Sequence, residues 1–256
     1  MKYRNSIVIV AFAAILVWAS GCYKPIGIGG NSQVNSETRP MVSFDKIVNE
    51  ASFNVYITTD TIYQVVVEAE TNLIPHIRTM VNGNTLIIDT RENLNNNYPI
   101  NIYVKTPVLH SVELQGSGLM VFDSLKTENM LIEISGSGDI NGEVVANTVN
   151  TKISGSGTIF LEASSNSFEA DISGSGYLDL RGETNTAHLF ISGSGNINAY
   201  NFIQKDCYAK ISGSGDMYLN VLNNLDVNIS GSGNIFYTGN PQLTINITGS
   251  GSVIHQ

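Results

Sequence analysis

Apolar and polar residues alternate along most of this chain, and from residue 114 onward Ile-Ser-Gly-Ser-Gly interrupts the alternation at a near-fixed interval. The copies begin at Leu114 (as Leu-Gln-Gly-Ser-Gly), Ile134, Ile153, Ile172, Ile191, Ile211, Ile229 and Ile247 (as Ile-Thr-Gly-Ser-Gly). They start 20, 19, 19, 19, 20, 18 and 18 residues apart. The seventh position of each copy is apolar throughout, from Met120 and Ile140 to Ile235 and Val253. Four residues before the leading Ile stand Met130, Val149, Phe168, Ala187, Cys207, Leu225 and Leu243, and two before it stand Ile132, Thr151, Ala170, Leu189, Ala209, Val227 and Ile245. A period of two puts all of these on one face of extended strands. A helical period fits badly, and paired glycines in every repeat would break helices in any case.

A repeat of this length marks a solenoid, in which each unit buries its apolar face on its neighbours. One coil per repeat, with parallel strands in register, predicts an all-β fold: a right-handed parallel β-helix of about eight coils of 18–20 residues over 113–256. The hand follows from the preference of parallel crossovers. A left-handed hexapeptide helix suits an 18-residue coil, but the 19- and 20-residue coils and the lack of a six-residue apolar period argue against it. Gly136, Gly155, Gly174, Gly193, Gly213 and Gly231 fall on the inward side of the alternation. There the missing Cβ permits a tight corner or a close approach to the opposite wall. The intervening serines, such as Ser173, Ser175, Ser192 and Ser194, then point outward in ladders with neighbours roughly 4.8 Å apart.

The chain before the repeats divides into three. In residues 1–21, Lys2 and Arg4 precede an uncharged apolar run from Ile7 to Trp18, which is too short for a comfortable membrane span. Ala19-Ser20-Gly21-Cys22 resembles a bacterial lipobox, so 1–21 reads as a lipoprotein signal peptide with Cys22 as the lipidated new N-terminus. Residues 22–40 are rich in Gly, Asn, Ser and Pro without a period, and read as a flexible tether. Residues 41–112 alternate at Phe53–Ile57 and Tyr63–Ala69, and Asn82-Gly83 between Ile77–Val81 and Thr85–Asp89 is a hairpin signal. This region is expected to be antiparallel or mixed β structure covering the apolar end of the first coil. Its core candidates are Phe44, Val55, Ile57, Val65, Val67, Leu86, Ile88, Ile102 and Val104.

The formal net charge is −9, from 13 Lys and Arg against 22 Asp and Glu. Removal of residues 1–21 takes away Lys2 and Arg4, so 11 basic residues face 22 acidic ones and the net charge becomes −11. Such a surface repels nucleic acid and anionic lipid headgroups. Besides Cys22 the only cysteine is Cys207, whose inward column predicts a buried thiol.

Phe44-Asp45-Lys46-Ile47, Phe53-Asn54-Val55-Tyr56-Ile57, Asn72-Leu73-Ile74-Pro75, Gly83-Asn84-Thr85-Leu86 and Ile102-Tyr103-Val104, followed by repeated Ser-Gly-Ser-Gly, resemble one bacterial family. It is the putative auto-transporter adhesin, head GIN domain family. Gly195-Asn196-Ile197 and Gly233-Asn234-Ile235 are similar to the triplet behind that name. The resemblance spans about residues 41–256. It implies an exported β-helical domain of a kind common in Bacteroidetes, with an adhesin role, and brings no catalytic residues with it.

Candidate chemistry is sparse. One outward column carries Asn150, Glu169, His188, Tyr208 and Asp226, and the adjacent Glu169, His188 and Tyr208 are the nearest approach to a functional cluster. The column just before each leading Ile begins Glu133, Lys152, Asp171, which suits a surface charge ladder. His76, His110 and His255 are far apart and point to no metal site; no cofactor motif is present. A calcium-binding β-roll needs a nine-residue period, and a phosphate loop needs a helix and a Lys after its glycines; neither fits. Asp60-Thr61-Ile62 and Asp123-Ser124-Leu125 resemble the Asp-Ser/Thr-apolar acceptor for O-glycans, which makes Thr61 and Ser124 candidate modification sites. These features point to a non-enzymatic, lipid-anchored envelope protein, expected at the outer membrane, whose polar ladders bind a glycan or a protein. Its rod is also expected to allow end-to-end self-association. A polysaccharide lyase or glycosidase on the same scaffold is the alternative, and needs carboxylates converging on one wall.

Overall fold

The computed structural model of the protein describes residues 27–256. The expected leader, Cys22 and the first residues of the expected tether lie outside them. The cap comprises β1 (Ile28–Gly29), β2 (Val34–Pro40), β3 (Lys46–Asn49), β4 (Asn54–Thr59), β5 (Gln64–Glu70), β6 (Ile77–Asn82), β7 (Thr85–Thr90), β8 (Leu94–Asn95) and β9 (Asn101–Thr106), with a 3-10 turn at Ile74–His76. The solenoid follows as β10 (Ser111–Leu114), β11 (Leu119–Ile134), β12 (Asp139–Ile153), β13 (Thr158–Ile172), β14 (Tyr177–Ile191), β15 (Asn196–Gly213) and β16 (Met217–Gly231). Its last turn is split into β17 (Asn234–Thr238), β18 (Gln242–Gly249) and β19 (Ser252–His255). Stacked coils form a β-solenoid of about 8 turns.

Each strand from β11 to β16 runs most of the way round a coil and pairs in parallel with the next. The register puts like positions on top of one another: Ile132, Thr151, Ala170, Leu189, Ala209, Val227 and Ile245 form one column. Met120, Ile140, Ile159, Leu178, Ile197, Met217, Ile235 and Val253 form another. Apart from members of the last coil, these side chains are buried, and Phe168 and Phe202 pack edge to face between them at 5.1 Å.

The Ser-Gly-Ser-Gly corners continue the ladder. The N–H groups of Ser173, Ser175 and Tyr177 donate to the carbonyls of Ile153, Gly155 and Gly157 at 2.8, 3.0 and 3.0 Å. A Cβ on Gly174 would lie 2.5 Å from the Gly155 carbonyl oxygen, and one on Gly195 would lie 2.6 Å from both the Gly176 oxygen and Ile172 Cγ2. Of the two roles expected from the sequence, the glycines do stand at the corners, and the close approach is to the preceding coil and not to the opposite wall. In-register stacking places each glycine against the glycine one coil earlier, so the hydrogen-bond spacing itself leaves no room for a side chain.

The cap is an extension of the solenoid that then reverses direction. β10 stacks in parallel on β3 and β3 on β7, so that Val112, Ile47 and Leu86 continue one inward column. β11 stacks on β4 and β4 on β9, continuing another through Met120, Val55 and Ile102. Beyond these the pairing turns antiparallel: β6 on β7 through the Asn82-Gly83 turn, and β5 on β9. The glycine column ends in the same place. Asn49 pairs with Leu114, and Ala51 and Phe53 lie under Gly116 and Gly118. Asn49 is fully buried and ties this glycine-free corner, donating to the Phe53 carbonyl at 2.9 Å and accepting from the Ala51 N–H at 3.2 Å.

Part of the segment expected to be a tether is structural. β2 pairs antiparallel with β5 from Val34 opposite Glu70 to Pro40 opposite Gln64. Its side chains are nearly all exposed, so an edge strand held by its backbone carries no apolar alternation to announce it. Two side chains secure it. Arg39 donates to the Ile77 carbonyl at 2.9 Å and to Thr79 at 3.0 Å. Glu70, 1% exposed, accepts from the Ser32 N–H at 2.5 Å, the Asn97 N–H at 2.7 Å and Asn97 Nδ2 at 2.9 Å. A Cβ at Gly30 would overlap this carboxylate. At the other end the last coil is open: Leu243, Ile245 and Ile247 hold inward positions but are 43%, 45% and 38% exposed.

Two outcomes follow from these contacts. Gly174→Ala and Gly193→Val should each destabilise the fold by about 1–3 kcal/mol or more, whereas Ser175→Ala and Ser194→Ala should stay within about 0.5 kcal/mol, as read from denaturant midpoints. The second concerns pH. Burial would raise the Glu70 pKa, but the hydrogen bonds from Asn97 and Ser32 outweigh it and hold the carboxyl below its ordinary value of 4.5. A depressed pKa means that the clamp is intact above the unfolded-state value and is lost as pH falls through the lower folded value. Amide exchange in residues 31–40 should therefore be flat from pH 7 to 5, after correction for intrinsic rates, and accelerate on further acidification. Glu70→Gln, which sets an amide N–H against these donors, should show the acceleration at pH 7.

Candidate ligand-binding surface

Inward positions hold the rod together, so whatever the protein recognises meets the outward columns. The register brings Glu169, His188, Tyr208 and Asp226 onto adjacent coils in one column. The His188 and Tyr208 rings lie 6.2 Å apart and Phe190 lies 5.8 Å from Tyr208. Beside them is a shallow hollow of about 240 Å³ lined by Thr186, His188, Asp206, Tyr208, Asn224 and Asp226. Next to this column, Lys152 pairs with Glu133 at 3.1 Å. Ser173, Ser175, Ser192 and Ser194 are exposed along the corner. Cys207 is 4% exposed, and its burial pushes the thiol well above its ordinary range, which makes it inert. Thr61 sits in an exposed turn, where its N–H donates to Asp60 at 2.6 Å. Ser124 is exposed at a break in the β11–β12 register and donates to Glu143 at 2.9 Å.

A second outward wall was not singled out from the sequence. It flanks the buried seventh-position column on the strands after each corner. Tyr218 and Phe236 stack nearly parallel with centroids 5.0 Å apart, and Tyr200 meets Tyr218 edge to face at 5.4 Å. Phe160 and Tyr177 meet at 6.3 Å on the coils before. Between them Asp179 accepts from Asn198 Nδ2 at 2.8 Å and from the Tyr177 hydroxyl at 3.4 Å. Partial burial, with the Asp179 carboxylate beside it, raises the Tyr177 pKa and keeps the phenol protonated. Burial does the same for Tyr200. The Tyr200 hydroxyl and the Asn141 carboxamide oxygen on this wall are buried without a protein partner. The signal was present as the eighth position of the repeat, where Phe160, Tyr218 and Phe236 recur among Asn141, Asp179 and Asn198.

The asparagine that follows some corners has a separate role. Asn196 accepts from the Asp216 N–H at 2.9 Å, and Asp216 accepts from the N–H and Nδ2 of Asn234 at 2.8 and 3.0 Å. Side chains here hydrogen-bond the backbone one coil on, so a Gly-Asn-Ile triplet turns the corner and fastens the next coil. Among the described residues no three His, Cys, Asp or Glu side chains stand close enough to hold a metal ion. No helix among them is long and apolar enough to cross a membrane.

A capped stack of β coils with columns of polar and aromatic side chains on its outside is a repeat scaffold built to present surface. The chain belongs to the family described as putative auto-transporter adhesin, head GIN domain, whose model matches residues 43–178 and 147–241. That membership carries an adhesin-like role for an exported, cell-surface protein. Among solved structures it is similar to a putative adhesin from Parabacteroides distasonis, with a TM-score of 0.86 and 20% identity over 90% of this chain and 99% of that one. A putative adhesin from Parabacteroides merdae gives a TM-score of 0.85 and 19% identity over 90% and 98%. A putative lipid binding protein from Parabacteroides distasonis gives 0.79 and 23% over 90% and 99%. At these identities the likeness is one of fold. No curated protein matches the chain.

Proposed function

We propose that this protein is a non-enzymatic, lipid-anchored adhesin of the cell envelope that binds a glycan or a protein along the outer faces of its rod. The observation that carries the reading is the division of labour within each coil. Inward positions alone fill the apolar core, yet the outward columns also carry Tyr, Phe and Ser from coil to coil, where the core demands none of them. The adhesin description of the family supports the same role. Cys22, at the end of the short apolar run, is the proposed site of lipid attachment, at the outer membrane. Several of the outward carboxylates are held in contacts within the rod. Glu133 pairs with Lys152, and Asp179, Asp206 and Asp216 accept from Asn198, Asn224 and Asn234 at 2.8, 2.6 and 3.0 Å. General acid–base chemistry needs two carboxyls facing a common substrate.

A second copy is the proposed occupant of the open last coil. Residues 227–256 contain no Asp, Glu, Lys or Arg, in a chain of net charge −9, so two such ends meet without repulsion. Two β18 edges related by a two-fold axis pair antiparallel and cover Leu243, Ile245 and Ile247 of both.

The full chain in mild detergent, applied to an array of glycans and matrix proteins, should bind at least one member saturably. Cys22→Ser should move the protein from the membrane to the soluble envelope fraction. An array without ligands, or unchanged membrane retention, removes the corresponding half of the proposal. In sedimentation the Cys22→Ser protein should dimerise and Ile245→Lys in that background should not; a monomer at every concentration without the Lys overturns the end-to-end contact.

A further inference from the structure

We propose that the wall formed by Tyr177, Asp179, Asn198, Tyr200, Tyr218 and Phe236 binds a neutral glycan chain laid along the rod. This rests on the adhesin reading above and gives it a place and a ligand class.

The aromatic rings are not there for the core. Their strand neighbours Leu178, Ile197, Met217 and Ile235 are fully buried and fill it, so the core does not require the outward rings. Phe160, at the start of the wall, is 47% exposed. The C–H bonds on one face of a pyranose ring are polarised positive and are attracted to the electron-rich π system of an exposed aromatic ring such as Phe160, an attraction of the same kind as edge-to-face packing. From Phe160 to Phe236 the wall crosses five successive coils, four strand spacings or roughly 19 Å, a length that accommodates several sugar rings end to end.

Between the rings lies the hydrogen-bonding equipment that sugar hydroxyls require. The Asn198 and Tyr177 donors orient the Asp179 carboxylate, which keeps lone pairs free to accept, and Asn198 keeps its carbonyl oxygen. The Tyr200 hydroxyl and the Asn141 oxygen on the same wall are buried without a protein partner, below the reach of a chain laid on the surface. Asn141 also lines a groove of about 310 Å³ with Phe160, Glu162, Asp179 and Arg181, which continues the wall toward the cap.

Charge selects among glycans. Asp179 and Glu162 at the site and a chain of net charge −9 repel uronates, sialylated and sulfated chains. A single cation, Arg181, lines the groove, and it stands 3.7 Å from Asp179. Neutral hexose polymers remain.

The test uses the full chain in mild detergent, titrated calorimetrically with cellohexaose, mannohexaose and an oligogalacturonate. A neutral hexasaccharide should bind and the oligogalacturonate should not. Tyr218→Ala and Asn198→Ala should each weaken binding by about tenfold or more, while Tyr218→Phe, which keeps the ring, should retain most of it. Val145→Ala, on an exposed site away from the wall, should bind as wild type. Unchanged melting temperatures exclude unfolding as the cause, and Asn198→Ala serves if Tyr218→Ala destabilises. Absence of neutral-glycan binding, preference for the oligogalacturonate, or Tyr218→Ala and Asn198→Ala variants that bind like wild type would each overturn this site. Array ligands retained by those variants would leave the adhesin reading standing with its contact elsewhere; an array without any ligand would remove the adhesin reading itself.

Discussion

The contact on which the rest depends is a glycine Cα lying on the carbonyl oxygen of the glycine one coil earlier. Parallel strands hydrogen-bond at a fixed spacing, and in-register stacking places identical positions directly over one another. At the corner that spacing leaves 2.5 Å between the Gly155 oxygen and any Cβ on Gly174. The same constraint recurs at the Ser-Gly-Ser-Gly corners, whose inward positions stack glycine on glycine and carry no side chain. The exposed serines between the glycines cost the stack nothing and add hydroxyls to its surface.

A stack of this kind has two ends, and each exposes edges and apolar residues. The cap handles one by continuing the parallel columns through Ile47 and Leu86 and through Val55 and Ile102, then reversing direction so that antiparallel strands finish the sheet. Asn49 replaces the motif isoleucine at the first corner and satisfies the backbone there with its own side chain. β2 covers the outer edge of β5, locked by the buried carboxylate of Glu70. At the far end Leu243, Ile245 and Ile247 stand exposed at inward positions.

Because the inward half of each coil carries the stability, the outward half is free to carry recognition. The two outward clusters obey this in different ways. Around His188 and Tyr208 the rings are spread beside acidic and amide groups in a shallow hollow. On the other wall Tyr200, Tyr218 and Phe236 are packed ring on ring, with Asp179 and Asn198 held in a hydrogen-bonded pair among them. Ring stacking at the strand spacing is what parallel register gives for nothing when aromatic residues recur at one position of the repeat.

The sequence by itself determined the solenoid, the inward columns and the need for glycine at the corners, because a period of about nineteen laid over a period of two admits few other folds. It also announced the Asn82-Gly83 turn, a local signal, and placed Glu169, His188 and Tyr208 together, since register follows from repeat length. Three things were decided only in the tertiary structure. The glycines face the preceding coil and not the far wall, which depends on how coils are stacked. Residues 34–40 form a strand because β5 offers them an edge, and backbone pairing leaves no trace in an exposed strand's side chains. The aromatic wall joins Tyr177, Asp179, Asn198, Tyr200, Tyr218 and Phe236, which stand at different positions of the repeat and on different coils. The β15–β16 register shifts between Ala199 and Ile203, next to Tyr200, and a local break in register cannot be read from a period.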